Sequence, residues 1–184
     1  MLIVPIVLLV VLVLLIPIAM YNRLVRLRNQ CRESWSGIDT ELKRRYDLIP
    51  NLVEVVKGYA THEHDTLLAV TQARARAVAS TGSPGSQAAD ENAFVGEVRH
   101  LLALSEKYPD LKANDQYLRL TSELVNTEDR IQAARRFYNA NVRDYNTRIE
   151  VFPSSLIAGA FGFKPEEFFE VEDSGIRAAP IVRV

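Results

Sequence analysis

Residues 117–150, YLRLTSELVNTEDRIQAARRFYNANVRDYNTRIE, decide the fold, because their apolar and aromatic side chains recur at spacings of three, four and seven residues. Such spacing aligns the side chains on one face of a helix, here over roughly ten turns. The stripe comprises Tyr117, Leu120, Leu124, Ile131, Tyr138, Val142, Tyr145 and Ile149. We therefore expect one long amphipathic helix that ends before Phe152 and Pro153.

The first half of the chain repeats this helical spacing. One face carries Leu24, Leu27, Cys31, Trp35, Ile38 and Leu42. The same phase continues to Val70, but Pro50 lacks a backbone N–H and disfavours helical geometry at Ile49. The preserved phase favours one long helix with a kink, whereas the proline and ordinary helix lengths favour two helices in a tight hairpin. We expect the hairpin.

The middle of the chain predicts a loop and a further helix. Residues 80–90, STGSPGSQAAD, predict an exposed, mobile loop, and a helix is expected from Glu91 to Ser105. Since no stretch alternates with period two, strands are not expected, and the sequence predicts an all-α fold with an antiparallel four-helix bundle. Its expected core comprises Trp35, Ile38, Leu42, Leu124, Ile131, Tyr138 and Tyr145.

Residues 2–20, LIVPIVLLVVLVLLIPIAM, contain no charged side chain. As a helix they would measure roughly 28 Å, which is the thickness of a bilayer core, so we expect a single N-terminal transmembrane helix. A cleaved secretory signal is disfavoured because no basic residue precedes the run and no small-residue cleavage site follows it. A buried core helix would not be apolar on every face, and no lipidation motif is present.

The charges around this run predict its orientation. Basic residues follow it and none precedes it, so the N-terminus is expected outside and the bulk of the chain in the cytoplasm. Residues 1–22 would be the anchor in the inner membrane, residues 23–152 the helical bundle, and residues 173–184 a flexible tail. The anchor residues in this prediction are Leu2, Met20, Tyr21, Arg23, Arg26 and Arg28.

Composition and motifs argue against catalysis and nucleic-acid binding. The 184 residues carry a formal net charge of −1, without the broad basic field that nucleic acids attract. Cys31 is the only cysteine, so an internal disulfide is excluded and the thiol is expected to pack in the core. His62 and His64 would point about 200° apart on a helix, which is unsuitable for one metal ion. No catalytic motif is found, and no cofactor is expected.

Three polar clusters allow two interpretations each. Residues 43–45 and 135–136 are basic and would contact anionic lipid headgroups or, as we favour, form surface ion pairs with neighbours such as Glu41 and Glu128. Asn139, Asn141 and Asn146 would form hydrogen bonds between helices or part of a partner surface, and we favour the first.

The segment after the bundle, residues 153–172, is strongly apolar. It is expected to pack on the bundle, with a neighbouring subunit or the membrane as alternatives. The candidate contact residues are Leu156, Ile157, Phe161, Phe163, Phe168 and Phe169.

Several stretches together resemble one known family. They are Trp35-Ser36-x-Ile38-Asp39, residues 42–53 (LKRRYDLIPNLV), residues 56–63 (VKGYAxHE), residues 106–114 (ExYPxLKAN), Glu128-x-x-Ile131, Arg135-Arg136-x-Tyr138-Asn139, Tyr145-Asn146 and Phe152-Pro153. They are similar to the LemA family of bacterial membrane proteins. The resemblance implies a single-pass protein with a cytoplasmic antiparallel four-helix bundle and favours the hairpin at Pro50. It brings no catalytic residue or cofactor, but it implies a link to membrane organisation, including magnetosome formation.

We therefore expect a non-enzymatic membrane scaffold. Its expected partners are the lipid bilayer and further copies of the chain, with another membrane protein as an alternative partner; nucleic acid is not expected. The alternative is an accessory subunit of another membrane machine, such as a protease or an envelope transporter. An unrecognised enzyme is a remote third possibility.

Overall fold

The computed structural model describes residues 3–170, with the side chains of residues 15–170, and contains no strand within that range. The helices are α1 (Ile3–Tyr59), α2 (His64–Ala79), α3 (Pro84–Ala103), α4 (Pro109–Lys112), α5 (Asp115–Glu150) and α6 (Ser154–Ala160). The chain divides into unit 1, Met1–Ser36 with Arg136–Glu167, and unit 2, Gly37–Arg135 with Phe168–Val184. Helices α1 and α5 therefore contribute to both units, and α5 ends where its sequence pattern ends.

Unit 2 contains four long helical segments, from α1, α2, α3 and α5. Helices α2 and α3 pack against one another, and α2 presents the small side chains of Ala73 and Ala77 to the interior. Apolar side chains from all four segments are buried in this unit, among them Ile38, Leu42, Leu52, Val70, Phe94, Val98, Leu101, Leu124 and Ile131. Because the burial follows the helical spacing in each segment, the stripes meet in a common core.

Unit 1 has a smaller core, formed by the first part of α1 and the last part of α5. Its buried side chains include Leu24, Cys31, Tyr138, Val142 and Tyr145. Trp35 is only partly buried, and its ring meets the edge of Tyr138 at 5.3 Å between centroids.

The expected transmembrane helix needs correction. The structure places this segment at the start of α1, which continues without a break into a stretch that carries Arg23 and Arg26. Over the residues that the structure describes, no helix combines the length and the apolar character needed to cross a membrane. The predicted single N-terminal transmembrane helix is therefore wrong on this finding. Leu2, the side chains of residues 3–14 and the predicted flexible tail, residues 173–184, lie outside the described residues.

The predicted hairpin at Pro50 is also wrong, because α1 runs through this position to Tyr59. A proline inside a helix leaves the carbonyl four residues earlier without its usual donor. Here that carbonyl belongs to Tyr46, and it accepts a hydrogen bond from Nε of Arg74 on α2 at 2.6 Å. A side chain from a neighbouring helix thus replaces the donor that Pro50 lacks.

Replacing Pro50 with alanine should raise the free energy of unfolding by about 1–3 kcal/mol, because alanine restores the N–H and has the higher helix propensity. Pro50 is exposed, so little packing is lost. Replacing Arg74 with alanine should cost about 1–2 kcal/mol in the natural chain and less beside Pro50→Ala. Urea unfolding of the two single variants and the double variant measures this coupling. Arg76→Ala, an exposed change on the same helix, is the control, and an equal cost of Arg74→Ala in both backgrounds would contradict the explanation.

The predicted loop over residues 80–90 is shorter than expected. Helix α3 begins at Pro84, and the side chain of Ser83 accepts a hydrogen bond from the backbone N–H of Ser86. Serine at the N-cap with proline at the first helical position is a favourable helix start. The Gly/Ser/Pro-rich composition therefore concealed a helix-capping motif. Helix α3 begins at Pro84, seven residues before the predicted start at Glu91.

Candidate functional site

Unit 1 exposes large apolar side chains near the start of the described part of α1. Leu15, Ile18 and Tyr21 lie three residues apart and are 57%, 56% and 36% exposed. Residues at this spacing share one face of a helix. Among the residues whose side chains the structure describes, this face is therefore an exposed apolar stripe.

The stripe meets the segment that follows α6. The ring of Tyr21 contacts the ring of Phe161 at 4.8 Å between centroids and that of Phe163 at 5.7 Å. Phe161 remains 63% exposed, so the contact extends the apolar area rather than covering it. We call Leu15, Ile18, Tyr21 and Phe161 the unit 1 apolar surface.

The other candidate contact residues differ in exposure. Leu156 on α6 is 65% exposed, and Ile157 is partly buried. In unit 2, Phe168 is exposed and Phe169 is fully buried. The six residues expected to form one contact set are thus divided between the two units.

Basic side chains lie beside the unit 1 apolar surface. Arg23 and Arg26 are exposed, and the guanidinium of Arg28 lies 5.0 Å from the centre of the Phe163 ring. A guanidinium at this distance is attracted by the negative face of an aromatic ring. The apolar stripe is therefore followed along α1 by positive charge.

Residues 161–167, which we call the C-terminal strap, are held on unit 1 by side chains of α5. Asn146 Nδ2 donates to the carbonyl of Glu166 and its Oδ1 accepts from the Glu166 N–H, both at 2.9 Å. The hydroxyl of Tyr145 donates to the carbonyl of Lys164 at 2.9 Å, and that of Tyr138 donates to the carbonyl of Glu167 at 2.8 Å. All four bonds engage strap backbone.

Burial and charge keep these donors protonated. Burial raises the pKa of Tyr138, and the carboxylate of Glu166 raises it further. Burial and Glu166 also raise the pKa of Tyr145, although Arg28 acts in the opposite direction. Both tyrosines therefore remain hydrogen-bond donors at neutral pH. Burial also raises the pKa of the nearby Cys31 thiol to about 11, so Cys31 stays protonated at neutral pH.

Sequence reasoning missed the strap contacts. The Asn-Tyr pattern was expected to connect helices, but both hydrogen bonds of the Asn146 side chain go to the strap, so that expectation is wrong for Asn146. Asn139 and Asn141 are partly exposed. A tyrosine followed by an asparagine at a core-facing position of a helix can indicate that another segment binds there through its backbone. The polar ends of both side chains need hydrogen-bond partners when they are buried.

The basic residues 43–45 separate into two classes. Lys43 pairs with Asp39 at 2.6 Å and Arg44 with Glu41 at 3.9 Å, and Lys43 and Arg44 are exposed. Arg45 is fully buried in unit 2. Burial excludes lipid contact by Arg45, which was the alternative that we did not favour. The favoured ion pair with Glu128 forms, but the expectation that it lies on the surface is wrong, because both side chains are buried. Arg135 hydrogen-bonds to Gln132, and Arg136 is exposed.

Arg45 is the centre of a buried ionic cluster. Its guanidinium bonds to Glu128 on α5 at 2.9 Å and to Glu91 on α3, which also accepts from the hydroxyl of Tyr46. Burial and Glu91 raise the pKa of Tyr46, which keeps this hydroxyl protonated. The ring of Phe94 lies 5.5 Å from the guanidinium carbon. This cluster connects three helices of unit 2.

A sequence signal for the ionic cluster existed. Arg45 lies three residues after Leu42, so it falls on the apolar stripe of α1. Glu128 lies between Leu124 and Ile131 on the stripe of α5 in the same way. Oppositely charged residues at core positions of different helices indicate a buried ion pair, because an unpaired charge there would be too costly.

The structure also places the residues considered as metal ligands. His62 and His64 are both exposed. Across the part of the chain that the structure describes, no three His, Cys, Asp or Glu side chains form a group suited to hold a metal ion.

Comparisons with known proteins give a family and several relatives. The model of the LemA family matches residues 34–183. Magnetosome protein MamQ 2 of Paramagnetospirillum magneticum is 27% identical over 180 residues, which cover 84% of this chain and 66% of that protein. Protein LemA of Metamycoplasma hominis is 29% identical over 138 residues, which cover 74% of this chain and 63% of that protein. The chain thus spans about two thirds of the length of these curated relatives.

Proposed function

Since the chain belongs to the LemA family, we propose that it is a non-enzymatic helical scaffold that acts at the inner membrane of a bacterium. In this proposal it self-associates there, recruits partners there, or does both. The alternative is an accessory subunit of another membrane machine. The chain's similarity to proteins named magnetosome proteins supports a role in organising a cellular structure.

The unit 1 apolar surface carries the proposal. Contiguous exposed apolar area of this kind is typical of a membrane or protein contact site, because leaving it in water forgoes the free energy of its burial. The exposed Arg23 and Arg26 supply positive charge that suits anionic lipid headgroups. We propose that the apolar side chains enter the headgroup boundary of the bilayer while these arginines contact lipid phosphates.

Vesicle flotation of the full chain tests the membrane contact. The variant Leu15→Ser, Ile18→Ser, Phe161→Ser should bind vesicles of mixed neutral and anionic lipids at least tenfold more weakly, since each lost side chain removes roughly 1 kcal/mol of apolar burial. The matched control is Leu68→Ser, Val78→Ser, Leu118→Ser, which changes exposed apolar residues of unit 2.

The outcomes of the flotation experiment are distinct. Equal vesicle binding by both triple variants would refute the assignment of the unit 1 apolar surface to the membrane. Self-association is measured separately, as the size of the full chain in mild detergent. A single foreign protein that crosslinks in fixed stoichiometry, without self-crosslinks, would favour the accessory subunit over the scaffold.

A further inference from the structure

We infer that unit 1 carries a groove for an extended segment led by an aromatic residue, and that the C-terminal strap of a second copy occupies it when the chains self-associate. The inference rests on the proposed self-association and names the contact that produces it. The strap of the same chain occupies the groove in the structure. It thereby defines which segment the groove fits.

The groove recognises its occupant through the backbone. Asn146 bonds both the N–H and the carbonyl of Glu166, as a neighbouring β-strand would, and the hydroxyls of Tyr138 and Tyr145 bond two further carbonyls. These contacts depend on an extended conformation and not on the chain to which the segment belongs. The strap of another copy would form the same four hydrogen bonds.

One side chain of the strap anchors its first end. Phe163 is partly buried between the guanidinium of Arg28, at 5.0 Å, and the ring of Tyr21, at 5.7 Å. Beyond Phe163 the contacts go to strap backbone, at Lys164, Glu166 and Glu167. The groove is therefore selective for an aromatic residue followed by an extended segment, as in residues 163–167.

The connection to the strap is suited to exchange. Helix α6 ends at Ala160, and Gly162 follows with φ of 67°, a conformation that glycine adopts without strain. A change at this one residue redirects residues 163–167, and Phe169, which is fully buried in unit 2, has to move with them. Exchange of an identical segment between copies retains every native contact, and it is a common route to symmetric oligomers.

A second copy is favoured over an unrelated partner because it carries the sequence already seated in the groove. Another protein would need to reproduce the aromatic residue at the Phe163 position and an extended backbone behind it.

Photo-crosslinking of the full chain tests this inference. Benzoylphenylalanine replaces Phe163, and chains with natural nitrogen are mixed during solubilisation with chains labelled with ¹⁵N. Crosslinks from position 163 to peptides that contain Tyr21 or Arg28 are then assigned by mass to the same or to the other chain. We expect mixed-isotope crosslinks to these peptides in the self-associated fraction.

Substitutions in the groove and in the strap give the controls. Asn146→Ala should reduce the crosslinks from position 163 to these peptides at least tenfold, within and between chains alike, because two hydrogen bonds of the seated strap are lost. Asn126→Ala, an exposed change on α5, should leave them unchanged. Glu166→Pro removes the N–H that Asn146 binds. It alters only the strap, so it remains informative if Asn146→Ala fails to fold.

Three results would overturn the inference. Self-association with crosslinks confined within single chains would refute strap exchange while leaving the proposed scaffold intact. A chain that stays monomeric would refute both the exchange and the proposed self-association. Crosslinks from position 163 mainly to a different protein would refute the second copy as the occupant.

Discussion

Replacing Arg45 with methionine should lower the free energy of unfolding by about 3–5 kcal/mol, which is a large share of the stability of an ordinary domain. Arg45 is fully buried, and the side chains of its partners Glu91 and Glu128 are each 2% exposed. Methionine fills much of the arginine volume but leaves two carboxylates without a counter-charge. The loss of stability therefore measures the free-energy cost of leaving two buried carboxylates unpaired. Thermal or urea unfolding followed by circular dichroism detects it.

Two further variants show whether charge is the cause. Arg44→Met, an exposed change one residue earlier, should alter stability by at most about 0.5 kcal/mol. The triple variant Arg45→Met, Glu91→Gln, Glu128→Leu should be more stable than Arg45→Met alone, because it removes both unpaired charges and keeps an acceptor for Tyr46. A triple variant less stable than the single one would contradict this explanation.

Replacing Phe94 with alanine should lower the free energy of unfolding by about 3–5 kcal/mol, because it removes a large aromatic side chain and leaves a cavity. Phe94 is fully buried, and its ring lies 5.5 Å from the Arg45 guanidinium carbon and 5.8 Å from the ring of Tyr46. The cavity would therefore open beside the ionic cluster. Urea unfolding measures the loss of stability, with the midpoint of the transition and the dependence of the free energy of unfolding on urea concentration fitted together.

The control for Phe94 is Phe137→Ala on α5, since Phe137 is 64% exposed. It should change stability by at most about 0.5 kcal/mol. Because Phe94 touches Arg45, the double variant Phe94→Ala, Arg45→Met should lose less than the sum of the two single losses. Strict additivity would indicate that the ring and the guanidinium do not support one another.

Periodicity in the sequence predicts much of the helical structure. The stripe from Tyr117 to Ile149 predicts α5 within two residues of its observed ends, Asp115 and Glu150. Helical spacing is a local property of a sequence, so it can be found without knowledge of the neighbours. The same is true of the apolar phase that runs past Pro50 in α1.

The errors arise where a distant residue overrides a local rule. Local rules end a helix at Pro50, but Arg74, 24 positions later, supplies the missing donor. The charge of Arg45 suggests a surface position although the residue falls on the apolar stripe of α1, and its burial is possible because Glu91 and Glu128 pair with it. The strap was missed for the same reason, because nothing in residues 161–167 reveals the polar groups of α5 that bind their backbone. The transmembrane helix was expected from residues 2–20 alone, without regard to the residues that follow them in the same helix, α1.

The ionic cluster of unit 2 also restricts how such a chain can diverge. A substitution at Arg45 alone leaves two carboxylates unpaired, and a substitution at Glu91 alone deprives the hydroxyl of Tyr46 of its acceptor. Stepwise mutation therefore passes through poorly folded intermediates at these positions, whereas a simultaneous change that removes all three charges and keeps an acceptor for Tyr46 does not. Positions 45, 91 and 128 should accordingly be inherited as a set and exchanged as a set.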